Sequence, residues 1–196
     1  MKPEDIDGNP GQISATVRLR NGEEAVLRPL QGGDAGILGD YFLGLSEETR
    51  SLYAPHPFDR ETAAALCAGI DSADTMRFLA VKKGDVPQVL AYFVVVFGVI
   101  DSDRKRYGGD GMPLDGETDC SVGPSVADAY QNSGLGSLVM RHLLDAARGM
   151  GYRRMLLLGG VRQHNGRAIH FYEKFGFVKV REFTSRAPNF DMIADL

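Results

Sequence analysis

The sequence has few residues of the kinds that hold metals or form disulfides. It contains 2 cysteines and 4 histidines in 196 residues. Cys67 and Cys120 do not have the spacing of a metal-binding motif, and the histidines form no zinc pattern. We therefore expect no metal site, and we interpret the two thiols as reduced, buried side chains of a cytoplasmic protein.

Long apolar runs and an excess of positive charge are also missing. The longest apolar run, from Val89 to Ile100, is too short to span a bilayer and predicts a buried strand. The net charge of −4 provides no electrostatic footprint for nucleic acid or an anionic membrane, so neither is expected as a partner. Residues 1–12 are polar, contain glycine and proline, and do not resemble a signal peptide; they predict a flexible tail.

The remainder, residues 13–196, is expected to form a single α/β domain. Asn21-Gly22 lies between two alternating segments, which predicts an N-terminal β-hairpin. Helical patterns cover 35–45, where Asp34 can act as the N-cap, and also 60–70, 138–150 and 166–175. Strand patterns cover 76–81, 88–100, 118–126, 154–158, 177–184 and 190–196. The polar segment 101–117 is predicted to be an exposed loop, and the order of elements indicates a mixed sheet with helices on both faces.

A glycine-containing segment joins the 118–126 strand to the next helix, and we call residues 126–137 the glycine turn. Backbone N–H groups at the start of a helix are free, and with the helix dipole they attract anions. Gly134 and Gly136 have no Cβ, so a diphosphate can approach the main chain closely. The lysine of a P-loop is absent, so we expect phosphate to be bound mainly by the backbone. The alternative is an ordinary loop before a helix.

Two motifs make the sequence resemble the GNAT superfamily of N-acetyltransferases. The first, Gln131-Asn132-Ser133-Gly134-Leu135-Gly136, is similar to the family's acyl-CoA signature. The second runs from Asn165 to Phe177 and contains Ala-Ile-His-Phe-Tyr-Glu-Lys-Phe-Gly-Phe. The segments 18–23 and 45–50 also look like GNAT domains of bacterial protein-lysine acetyltransferases. One departure is Asp128, which stands where the family often has proline.

The resemblance implies a mixed, mostly antiparallel sheet and direct transfer of an acetyl group from acetyl-CoA, as cosubstrate, to a primary amine of a small molecule or a protein. The main chain of the glycine turn would bind the pyrophosphate, and the backbone near Val126 would bind the pantetheine arm and the thioester oxygen. The cofactor-binding residues implied in this way are Val126, Gln131, Asn132, Ser133, Gly134, Leu135, Gly136, Ser137, Asn165 and Tyr172. Asn165 can alternatively serve only as a helix N-cap. The other interpretation of the chain is a non-catalytic module that binds acyl-CoA as a sensor or assembly part. The family is often dimeric, which leaves a homodimer open.

Three residues are candidates for the proton transfers. Tyr172 matches the tyrosine that protonates the leaving thiolate in many family members; alternatively, it is a core tyrosine beside two phenylalanines. Glu117 and, ranked below it, Asp119 lie where the family often places a carboxylate that accepts the proton of the amine. The alternative is a solvated start of the strand, in an acidic stretch that also includes Asp110 and Asp115.

Overall fold

The computed structural model describes residues 1–53, 55–109 and 111–196, and Asp110 therefore lies outside the described residues. The described chain forms one nine-stranded sheet with helices packed on it. The strands are β1 (Ala15–Arg18), β2 (Glu24–Pro29), β3 (Thr75–Lys82), β4 (Gln88–Phe97), β5 (Asp119–Val126), β6 (Arg154–Leu157), β7 (Val161–Arg162), β8 (Val178–Ser185) and β9 (Ala187–Asp195). The helices are α1 (Ala35–Gly44), α2 (Glu47–Leu52), α3 (Arg60–Ala68), α4 (Asp101–Gly108), α5 (Leu135–Met150) and α6 (Gly166–Glu173). None of these helices is long and apolar enough to cross a membrane.

The sheet is mixed and mostly antiparallel, which confirms the predicted fold class. Its strand order is β1-β2-β3-β4-β5-β6-β9-β7, and β8 pairs with β9. The pair β5–β6 is parallel, whereas the other pairs in the described sheet are antiparallel. The predicted hairpin is β1–β2, and Gly22 in its turn has a φ of +87°.

Helices cover both faces of the sheet, as the sequence predicts. Side chains of α5 and α6, such as Leu143 and Ile169, belong to the larger core on one face. Leu38 and Phe42 of α1 and Cys67 of α3 belong to the core on the other face. Strand β4 lies between the two cores, which explains its nearly continuous apolar sequence.

The segment 101–117 differs from the predicted loop because its first half is the helix α4. Acidic residues stand in the first turn of this helix and basic residues in its last turn, which suits the helix dipole. Asp103 and Arg106 form an ion pair at 2.8 Å, and Tyr107 is buried near Leu156 and Ile193 of the sheet. The prediction of an exposed loop was wrong because these polar residues find partners only in the tertiary structure.

Two smaller differences concern the first third of the chain. Residues 1–12 were expected to be a flexible tail, but they contain a short 3₁₀ turn, and Ile6 is fully buried in the larger core. The carboxylate of Asp34 does not cap α1; it binds the guanidinium of Arg28 through two hydrogen bonds of 2.6 and 2.7 Å. A nearby arginine therefore replaces the backbone N–H that the sequence pattern suggested as partner.

Candidate functional site

Strands β5 and β6 separate towards the end of β5, and this opening is the centre of the site. Their pairing ends where the carbonyl oxygen of Val122 accepts a hydrogen bond of 3.0 Å from the backbone N–H of Leu158. Backbone polar groups alternate sides along a strand, so those of Pro124 and Val126 face the open gap. Pro124 has no N–H, and at this position it removes no bond from the sheet. The N–H of Val126 is thereby directed to the gap rather than to β4.

The glycine turn begins directly at the end of β5 and leads into α5. Gly134 is the N-cap residue of α5, with a left-handed φ of +92°, and Asn132 has a φ of +59°. In the first turn of α5, the N–H of Leu135 donates to the hydroxyl of Ser133 at 3.3 Å, and the N–H groups of Ser137 and Leu138 donate to the carbonyl oxygen of Gly134. The N–H of Gly136 has no acceptor among the described residues and remains available for an anion. The guanidinium of Arg20, in the turn of the β1–β2 hairpin, approaches this turn: its Nε would be 3.3 Å from a Cβ added to Gly134.

Side chains of the glycine turn fasten it to β5 and to α2. The amide nitrogen of Gln131 donates to the carbonyl oxygen of Val126 and to the hydroxyl of Thr49, each at 3.2 Å. Asp128 accepts hydrogen bonds from the backbone and hydroxyl of Ser46 and from the hydroxyl of Thr49. Although burial acts to raise the pKa of the Asp128 carboxyl, these bonds hold it below its ordinary value. The aspartate that replaces the expected proline therefore anchors the turn.

Asn165 and Tyr172 lie on α6, whose start faces the same opening. The side-chain oxygen of Asn165 accepts a hydrogen bond of 3.1 Å from the N–H of Ala168, so Asn165 does act as the N-cap. Tyr172 is 8% exposed, and burial raises the pKa of its phenol above the ordinary value. Within the described residues its hydroxyl has no hydrogen-bond partner. This leaves a protonated phenol free to interact with a ligand.

A cavity of about 910 Å³ connects these features. The predicted residues that line it are Val126, Gln131, Asn132, Gly134, Gly136, Ser137, Asn165 and Tyr172. The positively charged residues that line it are Arg20, Arg50, Arg162, Arg167, Lys174 and Arg186. In the described chain, no aspartate or glutamate lines the cavity. A protein with a net charge of −4 thus contains a cavity suited to a polyanionic ligand.

Two of the predicted binding residues do not reach the cavity with their side chains. Ser133 donates a hydrogen bond of 2.6 Å to the carbonyl oxygen of Tyr130 and stabilises the turn from within. Leu135 is fully buried and anchors the first turn of α5 in the larger core. Their contribution is to hold the backbone of the turn in place.

The two predicted bases, Glu117 and Asp119, lie away from the cavity, which corrects that interpretation. Glu117 is exposed in the turn before β5, and Asp119 is the first residue of β5, whereas Val126 is its last. At about 3.3 Å per residue, the two ends of this strand are roughly 23 Å apart. The carboxylate of Asp119 is buried and forms two hydrogen bonds, of 2.7 and 2.5 Å, with the guanidinium of Arg154. Asp115 accepts a bond from the N–H of Glu117 and is a turn residue as well.

Several cavity residues were missed by the sequence analysis. Tyr53, after α2, donates a hydrogen bond of 2.9 Å to the carbonyl oxygen of Gly123. Arg162 of β7 and Arg186, between β8 and β9, also line the cavity, so these strands form one of its walls. The only sequence signal for this wall was Gly159-Gly160, where both residues have a left-handed φ and the chain turns after β6. No group of residues that could hold a metal ion is found in the described part of the chain.

Comparison with known proteins agrees with this geometry. Residues 104–177 match the model of the Acetyltransferase (GNAT) family. An acetyltransferase of Pseudomonas aeruginosa is 29% identical over 141 residues, which cover 70% of this chain and 67% of that protein.

Solved structures share the fold. The GNAT domain of PAT from S. lividans superposes with a TM-score of 0.74 at 21% identity, covering 95% of this chain and 99% of that one. A structure of AAC(6')-Ib, described as a complex with paromomycin and acetyl-CoA, has a TM-score of 0.66 at 17% identity, covering 86% of this chain and 92% of that one. Residues 104–177 thus match the GNAT acetyltransferase family, the chain is similar in sequence to an acetyltransferase, and the described chain has the fold of solved GNAT structures.

Proposed function

We propose that the protein is an acetyl-CoA-dependent N-acetyltransferase that acts by direct transfer to a primary amine. The observation that supports this most is the single cavity in which the glycine turn, the gap beside Val126 and the phenol of Tyr172 meet. An anion site, an extended backbone groove and an unpaired proton donor are three different chemical features. Their convergence fits a ligand that has a diphosphate at one end and a thioester at the other.

The residues present fit acetyl-CoA as cosubstrate. The free N–H of Gly136 in the first turn of α5 and the guanidinium of Arg20 suit the pyrophosphate. A Cβ added to Gly136 would be in ordinary van der Waals contact with Val126 and Phe171, at 3.5 and 3.6 Å, so the turn lies directly against the end of β5 and α6. The N-cap role of Asn165 uses its side-chain oxygen and leaves its amide N–H₂ available to donate to the cosubstrate.

The chain's own groups then have distinct roles in the transfer. Acetyl-CoA, when bound, supplies an acetyl group already activated as a thioester. The N–H of Val126 faces the gap and can donate to the carbonyl oxygen as that oxygen gains negative charge. The walls of the gap restrict the position of the amine, and such alignment alone can lower a barrier by about 7–11 kcal/mol.

Tyr172 is the proposed acid for the departing thiolate. Burial raises the pKa of its phenol, so the group is still protonated at neutral pH. A neutral donor in a desolvated wall binds a thiolate more strongly than a thiol, which favours the products of the transfer.

Removal of the amine proton is assigned to water. The cavity has no lining carboxylate among the described residues, and Glu117 and Asp119 lie away from it. The acceptor is therefore expected to react as the neutral amine, and its rate should rise with pH until the amine itself is deprotonated.

The test measures binding and turnover separately. Isothermal titration should show acetyl-CoA binding to the parent protein and to Gly149→Trp, because Gly149 lies at the far end of α5 with open space around it. Gly134→Trp should abolish binding, because a side chain at a φ of +92° strains the turn and fills the anion site. No binding by the parent protein, or full binding by Gly134→Trp, would refute the proposal.

A non-catalytic acyl-CoA-binding module is the second candidate, and the absence of a carboxylate from the described cavity lining favours it. Release of the CoA thiol in the presence of a panel of amines and peptides separates the two. Amine-dependent thiol release supports the enzyme. Tight acetyl-CoA binding without any such release supports the binding module.

A further inference from the structure

We propose that the acceptor is an amine that carries its own anionic group, a carboxylate or a phosphate, and that Arg186 binds this group. The inference rests on the proposed acetyltransferase function and specifies its substrate class. It concerns the wall of the cavity formed by Arg162, Ser185, Arg186 and Asn189, which we call the hairpin wall.

Arg186 forms the tip of the β8–β9 hairpin and is directed to the cavity. Its backbone has a left-handed φ of +57°, an unfavourable conformation for an arginine. Its side chain is exposed, and within the described residues it forms no ion pair or hydrogen bond. The fold therefore holds a free guanidinium at the cavity at the expense of some backbone strain.

The tip is rigidly held by its neighbours. The guanidinium of Arg162 donates a hydrogen bond of 2.8 Å to the carbonyl oxygen of Ser185, and a longer one of 3.4 Å to the side chain of Asn189. Asn189 is 4% exposed and donates a bond of 2.6 Å to the carbonyl oxygen of Ala187. These bonds lie on both sides of Arg186. The backbone from which its side chain extends is thus held in place before any ligand binds, which lowers part of the entropic cost of binding.

The other cations of the cavity have partners, or they belong to the glycine-turn side or to α6 and its C-cap. Arg50 donates three hydrogen bonds to carbonyl oxygens at the end of α1. Arg20 adjoins the glycine turn, Arg167 lies on α6, and Lys174 is the C-cap residue of this helix, whose Phe171 approaches Gly136. A CoA diphosphate accounts for the glycine-turn side. It does not account for Arg186 on the hairpin wall.

Charge balance favours an anionic acceptor over a simple cation. An ammonium group that approaches the unpaired guanidinium of Arg186, which a bound CoA diphosphate does not neutralise, would be repelled. An acceptor with a carboxylate or phosphate near its amine enters as a zwitterion or an anion and gains a pair with Arg186. Bidentate pairs of this type are among the stronger polar contacts in proteins.

The experiment compares matched acceptors that differ in one charge. β-Alanine and β-alaninamide, glutamate and its bis-amide, and phosphoethanolamine and ethanolamine are used as pairs, with thiol release and with titration into the CoA-loaded protein. The anionic member should be preferred by about tenfold or more in kcat/KM and in affinity. In Arg186→Gln the preference should fall to about twofold or less, with acetyl-CoA binding unchanged. Arg141→Gln, an exposed arginine on α5 away from the cavity, is the matched control and should retain the preference.

Each result has one meaning for this inference. A preference for the carboxylates alone or for the phosphate alone supports it and identifies the source of the anion. Equal binding and turnover of the paired compounds, or a preference that persists in Arg186→Gln, overturns it while leaving the acetyltransferase function intact. If acetyl-CoA is never consumed, the proposed function fails, and a preference in the titration would still support an anion site at Arg186.

Discussion

Tyr172 and Asp119 show how the environment of one side chain decides its role. Tyr172 is buried at the cavity wall without a partner among the described residues, which suits an acid. Asp119 is also buried, but its carboxylate is fully used by Arg154. Both oxygens of this carboxylate are bonded to that guanidinium, and Asp119 lies at the opposite end of β5 from Val126, so it is not placed to act on the acceptor amine.

Replacement of Tyr172 tests its role as acid. We expect Tyr172→Phe to lower kcat by about 10²-fold, because the thiolate loses its proton donor. Acetyl-CoA affinity should stay within about twofold, since the ring is retained. Burial raises the pKa of the phenol, so Tyr172 stays protonated as the pH increases. The kcat of the parent protein should therefore not fall between pH 7 and 9 through deprotonation of Tyr172. Full activity of the variant would remove Tyr172 from the mechanism.

Paired substitutions separate stability from catalysis at the start of β5. Asp119→Asn leaves the Arg154 guanidinium without its buried counter-charge and should lower the free energy of unfolding by about 3 kcal/mol. Glu117→Gln changes an exposed turn residue and should leave both stability and kcat/KM almost unchanged. Urea unfolding and thiol release measure the two quantities. A large loss of kcat/KM in Glu117→Gln at normal stability would restore it as the base.

At the scale of elements, the departure of β6 from β5 is what opens the site. The chain turns at Gly159 and Gly160, and the short strand β7 then pairs with β9. The backbone of Gly160 lies directly against the β8–β9 hairpin: an added Cβ would be 2.7 Å from both the Phe183 ring and the carbonyl oxygen of Phe190. A single glycine therefore controls how closely the hairpin wall approaches the gap.

Two alanine substitutions test this contact. Gly159 and Gly160 both have a φ near +70°, so the backbone strain introduced by alanine is similar. Gly159 has open space around it, whereas alanine at Gly160 collides with β8 and β9. We expect Gly160→Ala to be less stable than Gly159→Ala by about 1–3 kcal/mol in thermal or urea unfolding. Equal free energies of unfolding for the two variants would mean that the β8–β9 hairpin moves away from the added methyl group without loss of stability.

At the scale of the whole molecule, a buried cluster of charged residues joins α4 to strands β8 and β9. The guanidinium of Arg106 binds Asp191 of β9 through two hydrogen bonds of 2.7 and 2.8 Å, and also binds Asp103. Arg181 of β8 lies 3.6 Å from Asp191 and donates to the carbonyl oxygen of Arg106. Burial raises the pKa of Asp103 despite its contact with Arg106. Asp191 is the central carboxylate of the cluster, because it contacts both arginines.

Substitution of Asp191 tests this connection. Asp191→Asn removes the fully buried partner of Arg106 and should lower stability by about 3–5 kcal/mol, equivalent to a decrease in Tm of about 10 °C. Asp145→Asn removes the exposed ion pair with Arg148 and should leave Tm almost unchanged. Calorimetry measures both. A similar Tm for the two variants would show that α4 does not depend on the cluster.

The sequence alone determined the elements whose causes are local. The Asn21-Gly22 turn, the periodicity of α5 and the two family motifs are readable because hydrophobic period, turn chemistry and glycine geometry act over a few residues. These local patterns indicated the elements of the fold, and the resemblance carried by the two motifs implied that Gly134, Asn165 and Tyr172 belong to one candidate site.

Which polar residues meet depends on how distant segments of the chain pack together. Glu117 and Asp119 are near Val126 in the chain, but an extended strand separates them in space, whereas Arg186 is distant in sequence and lines the same cavity. In the sequence, Asp103 and Tyr107 look like loop residues. They belong to a helix in the structure, where Arg106 of the same helix binds Asp191 of β9. Partners of this kind come from other strands and helices, so the identity of the charged groups at the acceptor wall could not be obtained from local patterns.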